Sequence, residues 1–86
     1  MRLIWSTHAR QDYLWWQTED RRVLERVNLL LQDTQRHGNE GLGKPEALRG
    51  NLSGYWSRRI TAEHRLVYRV DGDDILIVAC RLHYGR

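Results

Sequence analysis

The sequence contains one cysteine, Cys80, and no long run of apolar residues. A single cysteine excludes an internal disulfide, and no spacing of cysteines and histidines resembles a zinc site. No segment approaches the ~18 consecutive apolar residues of a membrane span, and the first residues lack the apolar stretch of a signal peptide. We therefore expect a cytoplasmic protein with no metal, no cofactor and no membrane partner.

The chain is short but has the composition of a folded protein. Of its 86 residues, 41% are hydrophobic and 29% are charged, which argues against disorder. Because domains run about 50–250 residues, we expect one domain over residues 1–86. A chain of this length buries only about 60–65% of its extended surface. Its core is therefore thin, and a homodimer is one way to stabilise it.

Positive charge is concentrated in one segment. The net charge is +3, but residues 1–43 balance six arginines with six acids, and residues 71–86 carry a net charge of −1. The six cations of residues 44–70 are opposed only by Glu46 and Glu63. Such a segment is an electrostatic footprint for a polyanion such as nucleic acid, although a solvated charged face would have the same composition.

The first half of the sequence predicts two antiparallel helices. Ser6 or Thr7 suits the N-cap of a first helix over residues 8–17. Residues 18–20 combine a second N-cap with acids in the first turn of a helix that ends near residue 37. The apolar residues of this second helix recur at spacings of three and four: Val23, Leu24, Val27, Leu30 and Leu31.

The second half changes to a period near two, which indicates strands. Residues 55–60, 64–70 and 74–84 alternate, and Gly72 among aspartates predicts a hairpin turn. Residues 2–5 form a further short candidate strand. The sequence thus predicts an α+β fold, in which two N-terminal antiparallel helices pack on one face of a small antiparallel β-sheet of about four strands.

Strand alternation also predicts which side chains face the helices. We expect four residues of the last strand to pack on them: Leu76, Val78, Cys80 and Leu82. The opposite parity would bring four residues together on the open face: Arg59, Arg65, Arg81 and His83. Arg65 lies within an apolar strand and needs a partner. His64 has core-side parity, so we expect a hydrogen-bonded structural residue.

RNA cleavage without a metal needs a base for the 2′-hydroxyl, an acid for the leaving 5′-oxygen and cations for the phosphate. His83 suits the acid because both protonation states of an imidazole are accessible near neutral pH. Glu46 is a candidate base within the basic segment. Two other interpretations stay open: Pro45-Glu46 could open a helical turn, and His83 could be an incidental surface histidine.

Several motifs extend over the whole chain. They include Leu-Ile-Trp-Ser near the start, Gly-Lys-Pro-Glu at 43–46, Asn-Leu-Ser-Gly-Tyr-Trp-Ser-Arg-Arg-Ile at 51–60, Glu-His-Arg-Leu-Val-Tyr at 63–68 and Ala-Cys-Arg-Leu-His-Tyr at 79–84. In these motifs the chain resembles the YoeB toxins of the RelE/ParE-type toxin–antitoxin superfamily. Gly85-Arg86 extends beyond the tyrosine that usually ends this family.

The resemblance implies a RelE-like fold and an mRNA interferase, an endoribonuclease that cuts mRNA in the A site of the 70S ribosome. It also implies a YefM-type antitoxin as partner, and binding to operator DNA only as the antitoxin complex. By resemblance Glu46 is the general base, His83 the general acid and Arg65 the cation that stabilises the phosphate. Four residues would contact RNA: Lys44, Arg59, Arg81 and Tyr84.

Two other functions would leave different signs. A ParE-like toxin, which inhibits DNA gyrase on the same fold, has no need for the set Glu46, Arg65 and His83. A basic binding module without catalysis would bind nucleic acid with steep salt dependence and yield no cleaved product.

Overall fold

A computed structural model describes residues 1–82, and within that range the chain forms two helices and a five-stranded sheet. His83, Tyr84 and the Gly85-Arg86 extension lie outside the described residues. The helices are α1 (Thr7–Glu19) and α2 (Arg21–His37), and a 3-10 turn spans Gly50–Leu52. The strands are β1 (Arg2–Trp5), β2 (Glu46–Ala47), β3 (Trp56–Arg59), β4 (Arg65–Asp71) and β5 (Asp74–Ala79).

Helix α1 begins after Ser6, one of the two predicted capping residues. Helix α2 is capped by Asp20, the last residue of the predicted 18–20 segment, so the prediction of acids in its first turn is wrong. The Ser6 hydroxyl accepts the Ala9 N–H at 3.0 Å, and the Asp20 carboxylate accepts the N–H groups of Arg22 and Val23. These contacts satisfy N–H groups that have no partner within the helix. Helix α2 ends at Gly38, whose positive φ turns the chain away. No helix among residues 1–82 is long and apolar enough to cross a membrane.

The apolar stripe of α2 packs against the sheet as predicted, with Leu24, Val27, Leu30 and Leu31 buried. Helix α1 contributes Ala9 and Trp16 to the same core. The Tyr13 hydroxyl donates to Asn28 at 2.7 Å and ties the two helices together. The predicted α+β class, with two helices on one face of the sheet, is therefore confirmed.

The sheet is mixed, with the strand order β1-β5-β4-β3-β2. Strands β2 to β5 pair antiparallel, whereas β1 runs parallel to β5 from Arg2↔Asp74 to Trp5↔Ile77. The expectation of a wholly antiparallel sheet is wrong for this pair. Alternation identifies a strand but not its direction, and a parallel partner needs a long connection. Helices α1 and α2 with strands β2 to β4 supply that connection.

A β-bulge in β5 changes which residues face the core. Val67 pairs with Ala79 while Tyr68 pairs with Ile77, so Val78 is an extra residue without a partner. One inserted residue reverses the alternation beyond it. The core side is therefore formed by Ile75 and Ile77 of β5 before the bulge and by Cys80, which directly follows β5, after it.

Of the four apolar residues expected to pack on the helices, only Cys80 does so. Leu76 and Val78 are partly exposed and lie outside the core cluster, because the bulge separates them from the parity of Cys80. Leu82 is 55% exposed, and its positive φ of 64° turns the chain after the last pairing. These three predictions are wrong.

Candidate active site

The face of the sheet opposite the helices carries Glu46. Glu46 is exposed on β2 and pairs with Ser57 of β3, and Ser57 in turn pairs with Val67 of β4. Residues directly opposite each other in antiparallel strands project to the same face. The core-side residues of β3 are Trp56, Arg58 and Ile60. Ser57 and Glu46 therefore lie on the open face. The helical-turn interpretation of Pro45-Glu46 is wrong.

Two predicted site arginines share this face with Glu46. Arg59 and Arg65 pair directly across β3 and β4. They lie two residues along the strands from the row of paired residues that contains Glu46. From ordinary strand spacing, the Cα atoms of Glu46 and Arg59 are roughly 8 Å apart, and those of Glu46 and Arg65 roughly 12 Å.

Arg65 is held by carbonyl groups of the turn that precedes β4. Its Nη1 donates to the carbonyl oxygens of Thr61, Ala62 and His64 at 2.8–3.2 Å. The expected partner of Arg65 is thus the backbone. Because carbonyls orient the guanidinium without neutralising it, its positive charge persists. Within residues 1–82 the ion pairs involve Asp12, Asp33 and Asp74, and none includes Arg59 or Arg65.

The segment before Glu46 is fixed to β3 by a close backbone contact. The Arg59 N–H donates to the Gly43 carbonyl at 2.7 Å, and Gly43 has a φ of 79°. A Cβ at Gly43 would lie 2.9 Å from Leu30 and 3.1 Å from the Arg59 carbonyl oxygen. Lys44 also has a positive φ of 51°, which is uncommon for a residue with a side chain. This path brings Lys44 to the exposed edge beside Glu46.

The loop that leads to Gly43 is held by an arginine that sequence reasoning missed. Arg58 is fully buried on the helix side of β3. Its Nε donates to the Tyr68 hydroxyl and its Nη1 to the Asp33 carboxylate at 2.6 Å. The remaining bonds go to carbonyl oxygens of the loop, those of Gly38, Glu40 and Leu42. All five N–H groups of the guanidinium are therefore used.

Arg58 accordingly adds nothing to the basic face. Its partner Asp33 lies in segment 1–43, where positive and negative charges balance. The net charge of segment 44–70 therefore counted Arg58 toward the basic face, although its charge is paired inside the protein. Its shared parity with Trp56 and Ile60 was the signal that could have identified it. The Leu42 N–H and the Arg58 guanidinium hold the pKa of Asp33 below its ordinary value. Burial raises the pKa of Tyr68, and the Arg58 hydrogen bond opposes that rise.

Arg81 does not join Arg59 and Arg65 on the open face. Its guanidinium carbon lies 3.7 Å from the centre of the Trp15 ring of α1, a cation–π distance. Its Nε is buried and has no hydrogen-bond partner in the described part of the chain. The prediction that Arg81 projects with the other two arginines is wrong, because β5 ends at Ala79 and the chain turns at Leu82, so strand alternation no longer applies at Arg81.

His64 and Arg65 hold the chain at the last described residue. The Leu82 N–H donates to Nδ1 of His64 at 2.7 Å, and the Arg65 N–H donates to the Leu82 carbonyl at 3.2 Å. The prediction that His64 is hydrogen-bonded is confirmed. The residue before His83 is thus bonded to Arg65, although His83 and Tyr84 themselves lie outside the described residues. Residues 1–82 contain no cluster of three or more His, Cys, Asp or Glu side chains suited to a metal.

Comparison with known proteins gives consistent matches over nearly the whole chain. Residues 5–84 match the family described as YoeB-like toxin of bacterial type II toxin-antitoxin system. The chain is 58% identical to Toxin YoeB of Escherichia coli strain K12, with 98% of this chain and all of that protein covered.

Solved structures show the same fold. The YoeB/ParE toxin from Agrobacterium tumefaciens superposes with a TM-score of 0.95 at 49% identity, covering 98% of this chain and all of that one. Two structures from Staphylococcus aureus, a YoeB dimer and a heterotetrameric YoeB–YefM complex, give TM-scores of 0.92 and 0.91. Both are 46% identical to this chain, with 98% of each chain covered.

Proposed function

The chain belongs to the YoeB-like toxins of bacterial type II toxin–antitoxin systems, and we propose that it is an endoribonuclease that cleaves mRNA in the ribosomal A site. Cleavage there inhibits translation in the cytoplasm. The observation that carries the proposal is the placement of Glu46 on the open face with Arg59 and Arg65, beside the backbone of the residue that precedes His83.

The proposed reaction uses the 2′-hydroxyl of the substrate as nucleophile. Glu46 accepts the 2′-hydroxyl proton as the oxygen attacks phosphorus, and His83 protonates the departing 5′-oxygen. The products are a 2′,3′-cyclic phosphate and a 5′-hydroxyl end. Arg65 stabilises the negative charge of the transition state from a guanidinium already oriented by three carbonyls. The mechanism needs no metal because these side chains supply the base, acid and cation.

The remaining site residues are proposed to bind RNA. Lys44 and Arg59 are exposed beside Glu46 and suit phosphate contacts. Tyr84 would stack on a base or donate its hydroxyl. Arg81 would contact RNA from the side of α1, where it stacks on Trp15. The same face would contact ribosomal RNA.

We propose a YefM-type antitoxin as the partner, which the Staphylococcus aureus complex of a similar chain supports. The dimer of that relative supports a homodimer in the absence of antitoxin. Operator DNA would be bound only by the toxin–antitoxin complex.

Replacing Glu46 by glutamine tests the proposed base. Glu46→Gln keeps the size of the side chain but cannot accept the 2′-hydroxyl proton, so cleavage of ribosome-bound mRNA should fall by about 10²–10⁴. A toeprint of a translating mRNA measures the cut. Thermal unfolding should be unchanged because Glu46 is exposed.

The matched control is Glu25→Gln, which removes the same charge from an exposed position on α2. This variant should cleave at the wild-type rate. Wild-type cleavage by Glu46→Gln would show that Glu46 is not the base. If the wild-type protein produces no toeprint but inhibits DNA supercoiling by gyrase, the proposed function itself is wrong.

A further inference from the structure

The three residues that connect β5 to His83 are held at four backbone positions. The Cys80 N–H donates to the Asp12 carboxylate at 3.0 Å, and the Cys80 carbonyl accepts the Trp16 indole N–H at 2.8 Å. The Leu82 N–H and carbonyl are bonded to His64 and Arg65. Three of these four bonds come from α1 or the backbone of β4. The fourth depends on the His64 imidazole.

The His64 ring is itself fixed in orientation. It packs edge-on against Trp16, with ring centres 4.8 Å apart and an interplanar angle of 88°. Trp16 is 4% exposed and is anchored by its bond to Cys80. Because Nδ1 accepts a hydrogen bond from the Leu82 N–H, the N–H proton of the His64 ring lies on Nε2. Nδ1 is therefore committed to Leu82.

Leu82 needs such an anchor because of its conformation and exposure. It adopts a left-handed φ of 64°, which a residue with a side chain rarely adopts without support. Its side chain is exposed, so no core packing holds it. The bonds from His64 and Arg65 are the contacts of Leu82 within residues 1–82 that oppose a return to ordinary backbone angles.

We propose that His64 is a positioning residue that sets, through its bond to the Leu82 N–H, the direction in which the main chain enters His83. The proposal rests on the proposed role of His83 as the general acid. A general acid must lie within hydrogen-bond reach of the leaving oxygen, and a displacement of about 1 Å can cost about a hundredfold in rate. His64 acts through Leu82 and does not itself touch the substrate.

Two substitutions separate the hydrogen bond from the packing of the ring. His64→Asn retains an acceptor oxygen at the position of Nδ1 but loses the ring that packs on Trp16. His64→Leu retains apolar volume against Trp16 but has no acceptor. If His64 positions the chain, the asparagine variant should retain activity that the leucine variant loses. A purely structural role predicts the reverse order.

The test measures single-turnover cleavage of mRNA on 70S ribosomes, together with the dissociation constant for the ribosome and the melting temperature. We expect His64→Leu to cleave about 10- to 100-fold more slowly, with unchanged ribosome binding. His64→Asn should cleave within about threefold of wild type. Wild-type cleavage by His64→Leu, or a loss of cleavage in both variants that follows their melting temperatures, would overturn the proposal.

Two further measurements keep the result interpretable. In the folded wild-type protein, amide exchange followed by NMR should be slow at Leu82 despite the exposure of this residue. Fast exchange would contradict the bond even if a variant fails to fold. His83→Ala is assayed in parallel. If it cleaves like wild type, the proposed function has failed, whereas normal cleavage by His64→Leu alone rejects only the role of His64.

Discussion

At the scale of single residues, Arg58 and Arg59 show how neighbouring side chains of one type acquire opposite roles. Arg58 faces the helices, is fully buried and uses its donors on Asp33, Tyr68 and the loop after α2. Arg59 faces the opposite side and is exposed. Alternation along a strand predicts the two faces. It does not predict that an acid 25 positions earlier meets one of them.

Replacing Arg58 should therefore destabilise the protein strongly. Arg58→Met keeps the apolar length but leaves the Asp33 carboxylate without its ion-pair partner and three loop carbonyls without their donor, and we expect a loss of at least about 3 kcal/mol in the free energy of unfolding. The adjacent substitution Arg59→Met should change stability by no more than about 0.5 kcal/mol. Urea unfolding measures both, and similar losses would contradict the role of Arg58.

Cys80 should be chemically silent in the native protein. It is fully buried, and burial with the nearby Asp12 carboxylate raises the pKa of its thiol to about 12. Reaction with a thiol reagent requires the thiolate. At pH 8 the folded protein should not react with a chromogenic disulfide, whereas the protein in guanidinium should react completely. Rapid reaction of the folded protein would mean that residues 80–82 open readily.

At the scale of elements, the short strand β2 depends on the glycine that precedes it. Gly43 approaches Leu30 and the Arg59 carbonyl too closely to carry a side chain, and this approach is what sets Glu46 beside Ser57. The sequence shows Gly43 within its motif, but it does not show how closely Gly43 approaches Leu30 and Arg59. The loop between α2 and β2 is thus held by two contacts: the close approach of the Gly43 backbone to β3 and the hydrogen bonds of the buried Arg58.

Gly43→Ala should cost more stability than an alanine at a glycine with open surroundings. Gly54 also has a positive φ, but a Cβ there would meet nothing within 4 Å. We expect about 1 kcal/mol for Gly54→Ala from the backbone conformation alone, and about 2–3 kcal/mol for Gly43→Ala because its neighbours must also move. Equal losses in urea unfolding would remove the argument for a close approach.

The bulge at Val78 explains why the last strand was the hardest to predict. The sequence alternates through residues 74–84, yet the core face changes from Ile75 and Ile77 to Cys80. A bulge is a property of a pair of strands, and a single strand carries no sign of it. The helices, by contrast, were predicted closely because caps and apolar spacing are local signals.

At the scale of the whole molecule, the charge pattern predicted the segment that carries the candidate site but not which of its cations face the open side of the sheet. Of the basic segment 44–70, Arg59 and Arg65 share the open face with Glu46, whereas Arg58 is internal. Arg81 lies against Trp15 instead, because it follows the end of β5 at Ala79. The charge of a segment, and the face of a strand on which a residue lies, can be predicted from the nearby sequence. Strand register and long-range ion pairs depend on the assembled fold.

Stability of the whole fold should fall in acid through Asp33. Its pKa is lower in the folded protein than in the unfolded chain, so the stabilisation is present above the unfolded value of about 3.9 and is lost as pH falls through the folded value. Asp33→Asn should lower stability at neutral pH and flatten its dependence on pH below about 4. Urea unfolding between about pH 6 and pH 3 measures both effects.

The control for this prediction is Asp73→Asn, an exposed aspartate in the β4–β5 turn. This variant should keep the pH dependence of the wild-type protein. An unchanged acid slope in Asp33→Asn would show that other carboxylates dominate the acid response.

The parallel pairing of β1 with β5 also bears on how the toxin is made. Arg2 and Asp74 are 72 positions apart, so β1 leaves the ribosome well before its partner β5 and has no partner until β5 has been synthesised. Pairing between segments so distant in sequence is slow to form, because the entropy of closing the loop is lost before the contact is gained. A chain that terminates before Asp74 lacks the strand between β1 and β4 and cannot complete the sheet. Premature termination should therefore yield an unfolded fragment and no partly active toxin.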